Sequence, residues 1–385
     1  MSLSRTDNSG FVTWWWTIDR VAFIAMMSLI AVGLLLAFAA SPAETGKALQ
    51  AGNFTFAAKQ VVFALLALGI LFGAALLSPR GVKLAAMWIF GLAAAGSVIA
   101  LFAGNEVLGA RRWIDIGSSM TLQPSEFLKP GFAVLAAAIL ADRTKMTLPK
   151  EVITFAMLLP LLAVLMLQPD IGQTGLLLAL WAALLFFNGA PLKWIGAIAG
   201  GGLALVAATY LLFPHVHHRI DQFIFPDQTG YQVRLALTAF RHGGWAGVGP
   251  GAGTIKYHIP YAHSDFIFAV AGEEFGFVLC FLIALLFCVL SVRLLMRAAR
   301  MPDAFSQLAG AGLAIVVGLQ AFINMAVALG MLPAKGMTLP FISYGGSSLF
   351  AVALTMGLAL AITRQRSSIG VRDSSLFAFL GGARA

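Results

Sequence analysis

Ten apolar runs, and the polar sequence between them, limit what this chain can fold into. They lie near residues 21–40, 57–77, 84–102, 124–140, 152–167, 174–187, 194–213, 270–292, 309–329 and 349–363. A helix needs about 20 apolar residues to cross the ~30 Å hydrocarbon core of a bilayer. In lipid, every backbone N–H and C=O must also find a partner within the spanning structure. The runs therefore predict an all-α membrane protein with ten transmembrane helices. Several are shorter than a perpendicular crossing requires, so ragged ends or breaks are expected there. The composition agrees, with 60% hydrophobic and 11% charged residues in 385, the balance of a polytopic membrane protein.

An even number of crossings puts both termini on one side, and Lys and Arg select which. With the termini inside, the cytoplasmic segments carry 15 Lys/Arg against six Asp/Glu, an excess equal to the formal net charge of +9. The predicted organisation is a cytoplasmic tail at 1–20, helices 1–7 over 21–213, a large extracytoplasmic loop at 214–264, helices 8–10 over 265–366 and a cytoplasmic tail at 367–385. The basic balance thus reflects orientation and anionic lipid, and no nucleic-acid partner is expected. A cleavable signal peptide is the rival reading of the first run, because Ala37-Phe38-Ala39 resembles a cleavage site. The 20-residue leader and the long apolar run argue against it. Trp14, Trp15 and Trp16 suit an interfacial anchor at the inner surface. Cys280 and Cys288, eight apart in one run, are apolar filler.

The loop at 214–264 holds all six histidines and ends at Asp265, where the chain turns apolar again. A long loop within a compact architecture is usually functional or disordered, and the aromatic content favours function. His215, His217 and His218 lack a recognised metal-ligand spacing. Tyr231–Phe240 has apolar residues near helical spacing and predicts a short interfacial helix ended by Gly243-Gly244. The glycines from Gly243 to Gly253 lack the Gly-Lys-Ser/Thr ending of a P-loop and predict a flexible turn.

Ionisable residues in or beside membrane spans are functional candidates because lipid makes them costly. Glu126 and Lys129 are three apart and share a helix face, either as a packing ion pair or with Lys129 facing an anionic head group. Glu273 lies eight residues beyond Asp265, about 12 Å deeper if one helix carries both. Asp265 suits either a general base or a helix N-cap, and Glu273 and Glu274 suit either a cavity or structural pairing. Arg111, Arg112 and Trp113 suit a phosphate or a surface anchor, and Asp170 suits a cap on the next span. Lys335 through Ser348, with Ser343 and the pair Gly345-Gly346, opens the last span with backbone amides suited to an anion.

These motifs resemble the SEDS family (shape, elongation, division and sporulation). The matching residues are Arg112-Trp113 with Asp115 and Gly117, Gln123-Pro124-Ser125-Glu126 with Lys129, and Gln168-Pro169-Asp170. They continue through Tyr231-Gln232, the glycine run with Lys256, His263-Ser264-Asp265-Phe266-Ile267-Phe268 and Glu273-Glu274, to Lys335-Gly336 and Leu339 through Ser348. The wording at Ala110–Trp113 and Lys335–Pro340 is closer to the division branch than to the elongation branch. Where the family often carries an acid between Pro260 and His263, this chain has Tyr261.

The resemblance implies a peptidoglycan glycosyltransferase that polymerises lipid II beside a class B penicillin-binding protein, a transpeptidase, and other division proteins. It implies an inverting displacement of undecaprenyl pyrophosphate with Asp265 as general base. Arg112, Lys129, Lys335, Glu126, Glu273, Ser343, Gly345 and Gly346 are the candidate substrate-binding residues. A divalent cation, Mg or Mn, is a candidate cofactor, with no protein metal ligands assigned. The location expected is the bacterial cytoplasmic membrane at the division site. The alternatives are a lipid II flippase, an elongation-branch polymerase and a non-catalytic scaffold.

Overall fold

A computed structural model of the chain describes residues 10–44, 55–107, 110–117, 120–144, 147–212, 217, 221, 230–333 and 336–364. Helices α1 (Gly10–Thr17), α2 (Arg20–Glu44), α3 (Thr55–Ala75) and α4 (Pro79–Ala103) come first. Strands β1 (Asn105–Val107), β2 (Ala110–Ile116) and β3 (Met120–Leu122) follow, then α5 (Ser125–Ala141), α6 (Lys150–Leu167), α7 (Ile171–Phe187) and α8 (Leu192–Leu212). Helix α9 (Tyr231–Gly243) and a 3-10 turn at Ile255–His258 precede α10 (Ile267–Ala299), α11 (Ala304–Ala328) and α12 (Gly346–Thr363). Each predicted apolar run contains one helix, α2–α8 and α10–α12. Among the described residues, seven helices are long and apolar enough to cross a membrane. Helices α5 and α7, with 17 residues each, are short crossings of the kind the sequence predicts.

Local chemistry sets several helix ends. Pro79 sits in the first turn of α4 behind Ser78, whose Oγ accepts from Gly81 N at 3.0 Å, and Asp303 caps α11 by accepting from Ser306 N at 2.8 Å. Asp170 caps α7 by accepting from Gln173 N at 3.2 Å, as predicted. Asp19 accepts from Ala22 N at 3.0 Å and pairs with Arg293 at 2.8 Å and Arg297 at 3.3 Å. This ties the start of α2 to the end of α10, at the end of the bundle to which the sequence assigns the excess positive charge.

Helix α12 is the centre of the bundle. Of its spanning residues 89% are buried, against 22% in α4, and it packs on α3, α5 and α11. A helix apolar all round belongs in such a position. Helix α4 instead exposes Leu84, Trp88, Leu92 and Phe102, a face suited to lipid.

Helix α10 is interrupted. Gly276 has φ 71 and ψ −168, in the left-handed region that only glycine enters without strain. The break would orphan main-chain groups, which lipid does not allow. The glycine-rich loop supplies the partners: Phe277 N donates to Gly244 O at 2.9 Å and Val278 N to Trp245 O at 3.3 Å, while Val248 N and Gly249 N donate to Glu273 O and Glu274 O at 3.0 Å each. The predicted flexible turn is therefore a backbone splint. Helix α9, ending at Gly243-Gly244 as the sequence predicts, lies against α10 so closely that a Cβ on Gly243 would overlap Gly272 O.

Other expectations change. The three antiparallel strands, with Glu106 opposite Arg111 and Ile114 opposite Leu122, are an addition to the all-α frame. The β-branched and aromatic residues of Ala110–Ile116 form too short a run to span lipid and pair locally instead. Trp14 is 2% exposed and packs on Phe23 and Phe72, so this residue is core rather than a surface anchor. Trp16 sits under Arg20 at 3.9 Å. Helix α10 begins at Ile267 with Phe266 at its N-cap position, which makes no side-chain cap, and Asp265 stands one residue outside. Cys280 and Cys288 are free thiols, as expected. His215, His218, Lys335 and the predicted cytoplasmic tail at 367–385 lie outside the described residues.

Candidate active site

The polar segments converge at one end of the bundle. The short stretch His263–Asp265 lies along the segment Met337–Tyr344, joined by a main-chain hydrogen bond and by side chains that bond to the main chain of both. Tyr344 N donates to His263 O at 2.9 Å. Ser343 Oγ accepts from Leu339 N at 2.7 Å and donates to Ser264 O at 2.5 Å. Asn324 Nδ2 donates to Asp265 O at 2.9 Å and to Met337 O at 2.5 Å. A Cβ added to Gly336 would stand 3.4 Å from Asp265 Oδ2, so the carboxylate lies directly beside Gly336. An aromatic group flanks this seam: His263, Tyr344 and Phe56 rings lie 5.1–5.4 Å apart.

A second cluster lies deeper. Lys129 and Glu126 form the ion pair their spacing suggests, at 2.6 Å, with both residues at most 3% exposed. Lys129 Nζ also donates to Gln320 Oε1 at 2.7 Å, and Glu126 Oε1 accepts from Gln173 Nε2 at 2.5 Å. Gln320 Nε2 continues to Thr338 O at 3.1 Å, and Thr338 Oγ1 meets Ser348 Oγ at 2.6 Å. A buried charge pair is tolerable when its remaining donors and acceptors are satisfied, as most are here. This network ends on the same 337–348 segment that carries the Asp265 seam.

Arg112, on β2, donates from Nε to Gln168 O at 3.0 Å and from Nη2 to Pro169 O at 2.5 Å, with Asp170 3.9 Å away. It fastens the strand to the α6–α7 turn. Burial pushes the Asp170 carboxyl above its ordinary range, against the opposing pull of Arg112.

Glu273 is committed to the glycine-rich loop. Its carboxylate is fully buried and accepts from Thr254 N at 2.8 Å, Ile255 N at 2.7 Å and Lys256 N at 2.8 Å, with His242 Nδ1 at 3.1 Å. Glu274 pairs with buried Lys256, whose Nζ also donates to Ala39 O at 2.8 Å. The structural reading of both glutamates is the one the geometry displays. The Ser343 hydroxyl is committed to the seam, Gly345 (φ 155) precedes α12, and Gly346 lies against the Phe63 ring. Asn324 and Gln320 are not among the sequence candidates, although two amides four residues apart in an apolar run are the signal that would have found them.

Comparison with known proteins gives a consistent picture. Residues 19–368 match the family model for FtsW, RodA and SpoVE, described as cell cycle proteins. The chain is 43% identical over 368 residues to the probable peptidoglycan glycosyltransferase FtsW of Caulobacter vibrioides, covering 95% of this chain and 94% of that one. It is 33% identical over 359 residues to the protein of the same name from Nitrosomonas europaea, covering 90% and 92%. Among solved structures, a chain of a peptidoglycan synthase complex that coordinates polymerization and crosslinking superposes with TM-score 0.75 at 28% identity, covering 90% and 97%. The rod shape determining protein RodA of Thermus thermophilus gives TM-score 0.68 at 26% identity, covering 91% and 97%.

Proposed function

The chain belongs to the FtsW, RodA and SpoVE family of cell cycle proteins, and we propose that it is a multi-pass peptidoglycan glycosyltransferase of the division branch that polymerises lipid II. The observation that carries the mechanism is the setting of Asp265. It stands where the large loop joins α10, held by its own main chain to the segment after Gly336 with its carboxylate beside that glycine. A carboxylate at this junction accepts the proton of the acceptor sugar hydroxyl as that oxygen attacks the anomeric carbon of the donor. Undecaprenyl pyrophosphate leaves with the bonding electron pair, and the single displacement inverts the anomeric centre.

The leaving group is already stable, so the protein's task is to hold its charge. Lys129, Arg112 and Lys335 are the cations assigned to it, with the main-chain amides that open α12. Lys129 and Arg112 are each already bonded to protein acceptors, so in this reading they act as fixed charges rather than mobile ligands. Among the described residues no group of three or more His, Cys, Asp or Glu could hold a metal. No step is routed through the candidate Mg or Mn ion.

The orientation follows the charge split, with the loop outside and both termini in the cytoplasm of a bacterial inner membrane at the division site. The partner is a class B penicillin-binding protein, which would crosslink the strands made here, alongside other division proteins. The relatives named FtsW support the division branch over the elongation branch. The deciding experiment is polymerisation of purified lipid II by the full chain with its transpeptidase. Glycan strands that depend on this chain are expected. No strands, together with transfer of lipid II across vesicle bilayers, would replace the polymerase with a flippase.

A further inference from the structure

Helix α11 presents two amides, Gln320 and Asn324, four residues apart on one face. Gln320 joins the Lys129 ion pair to Thr338, accepting from Lys129 at 2.7 Å and donating to Thr338 O at 3.1 Å. Asn324 does the corresponding work one turn further on, with Nδ2 shared between Asp265 O at 2.9 Å and Met337 O at 2.5 Å. Both Asn324 partners are carbonyls, so only the amide nitrogen can face them and the flip is fixed by chemistry. Its Oδ1 is then left without a hydrogen-bond partner in the structure, in a residue only 2% exposed. A buried acceptor left unmade is costly, and leucine at this position in an apolar run would avoid the cost. The two donor contacts are what asparagine supplies and leucine cannot.

We propose that Asn324 is a positioning residue for Asp265. By joining the main chain of Asp265 to that of Met337, it fixes the carboxylate relative to Gly336 and to the residues on either side. Asn324 acts only through Asp265 and has no contact with substrate of its own. The inference rests on the reading of Asp265 as general base. A displacement of about 1 Å at a reacting group can cost ~10²-fold in rate, and the Asn324 amide ties the main chain of Asp265 itself to that of Met337, beside the Ser343 hydroxyl that joins Ser264 O to Leu339 N.

The test measures lipid II polymerisation by the full chain with its transpeptidase, over a range of lipid II concentrations, for Asn324→Leu and Asp265→Asn in parallel. Thermal melting gives the folded fraction of each. For Asn324→Leu, kcat per folded molecule is expected to fall by ~10²-fold with KM for lipid II unchanged, the pattern of an interaction that matters only in the transition state. Wild-type kcat per folded molecule in Asn324→Leu, beside an inactive Asp265→Asn, overturns the positioning role and leaves the base reading intact. A raised KM with unchanged kcat overturns it too, because Asn324 would then be a binding residue. An active Asp265→Asn removes the base reading and this inference with it.

Discussion

The Lys256 ammonium and the Glu274 carboxylate form an ion pair with both side chains fully buried, where the glycine-rich loop meets α10. Lys256 adds a bond to Ala39 O at 2.8 Å, so the same ammonium reaches α2. One charge pair thus joins three parts of the bundle. Breaking such a pair from one side leaves an uncompensated charge and typically costs about 3–5 kcal/mol, whereas removing both charges together is often close to neutral. Lys256→Met is expected to lower the melting temperature strongly in detergent, and Lys256→Met/Glu274→Leu to recover much of the loss. Additive losses in the double variant would mean that the two side chains do not act as a pair.

Gly243 should tolerate no side chain. A Cβ there would overlap Gly272 O and lie 2.7 Å from Glu273 O, both main-chain atoms of the interrupted α10. Gly243→Ala is expected to reduce folded protein sharply, because the α9–α10 contact must open. Gly69→Ala, at an exposed position in α3 with nothing within 4 Å of the added Cβ, is the matched control and should be neutral or slightly stabilising. Accumulation in membranes reads both, and equal behaviour of the two variants would contradict the close packing.

Asp265→Asn preserves size while removing the proton acceptor. A positioned base contributes about 10²–10⁴-fold in rate, so glycan polymerisation should fall to near background while the protein accumulates and still binds its transpeptidase. Near-wild-type polymerisation would move the search for the base elsewhere.

The orientation is checked at Trp245, which is 75% exposed in the large loop. In a background lacking Cys280 and Cys288, Trp245→Cys should react with a membrane-impermeant maleimide in spheroplasts. Labelling only after lysis would reverse the topology and place Asp265 on the wrong side for an extracytoplasmic polymer.

Much of the architecture is legible because membrane helices obey a one-dimensional rule. Each must satisfy its own backbone within one continuous apolar run, so ten runs give ten helices and both α5 and α7 can be foreseen as short. Pair spacings such as Glu126 with Lys129, and caps such as Asp170, are equally local. The β-strands are less legible, since Ala110–Ile116 becomes a strand only by pairing with two three-residue partners.

The sequence alone therefore determined the order of the ten apolar helices and the acid at the loop–span junction. Only the tertiary structure decided what each acid faces. Asp265, Glu273 and Glu274 look alike as acids near one membrane boundary, yet burial under the glycine-rich loop commits Glu273 to three backbone amides and Glu274 to Lys256. Asp265 instead lies beside Gly336, with its main chain tied to Met337 by Asn324, 59 residues further along the chain. Hydrogen bonds between segments so distant in sequence depend on how helices pack, and side-chain periodicity within one helix carries no record of them.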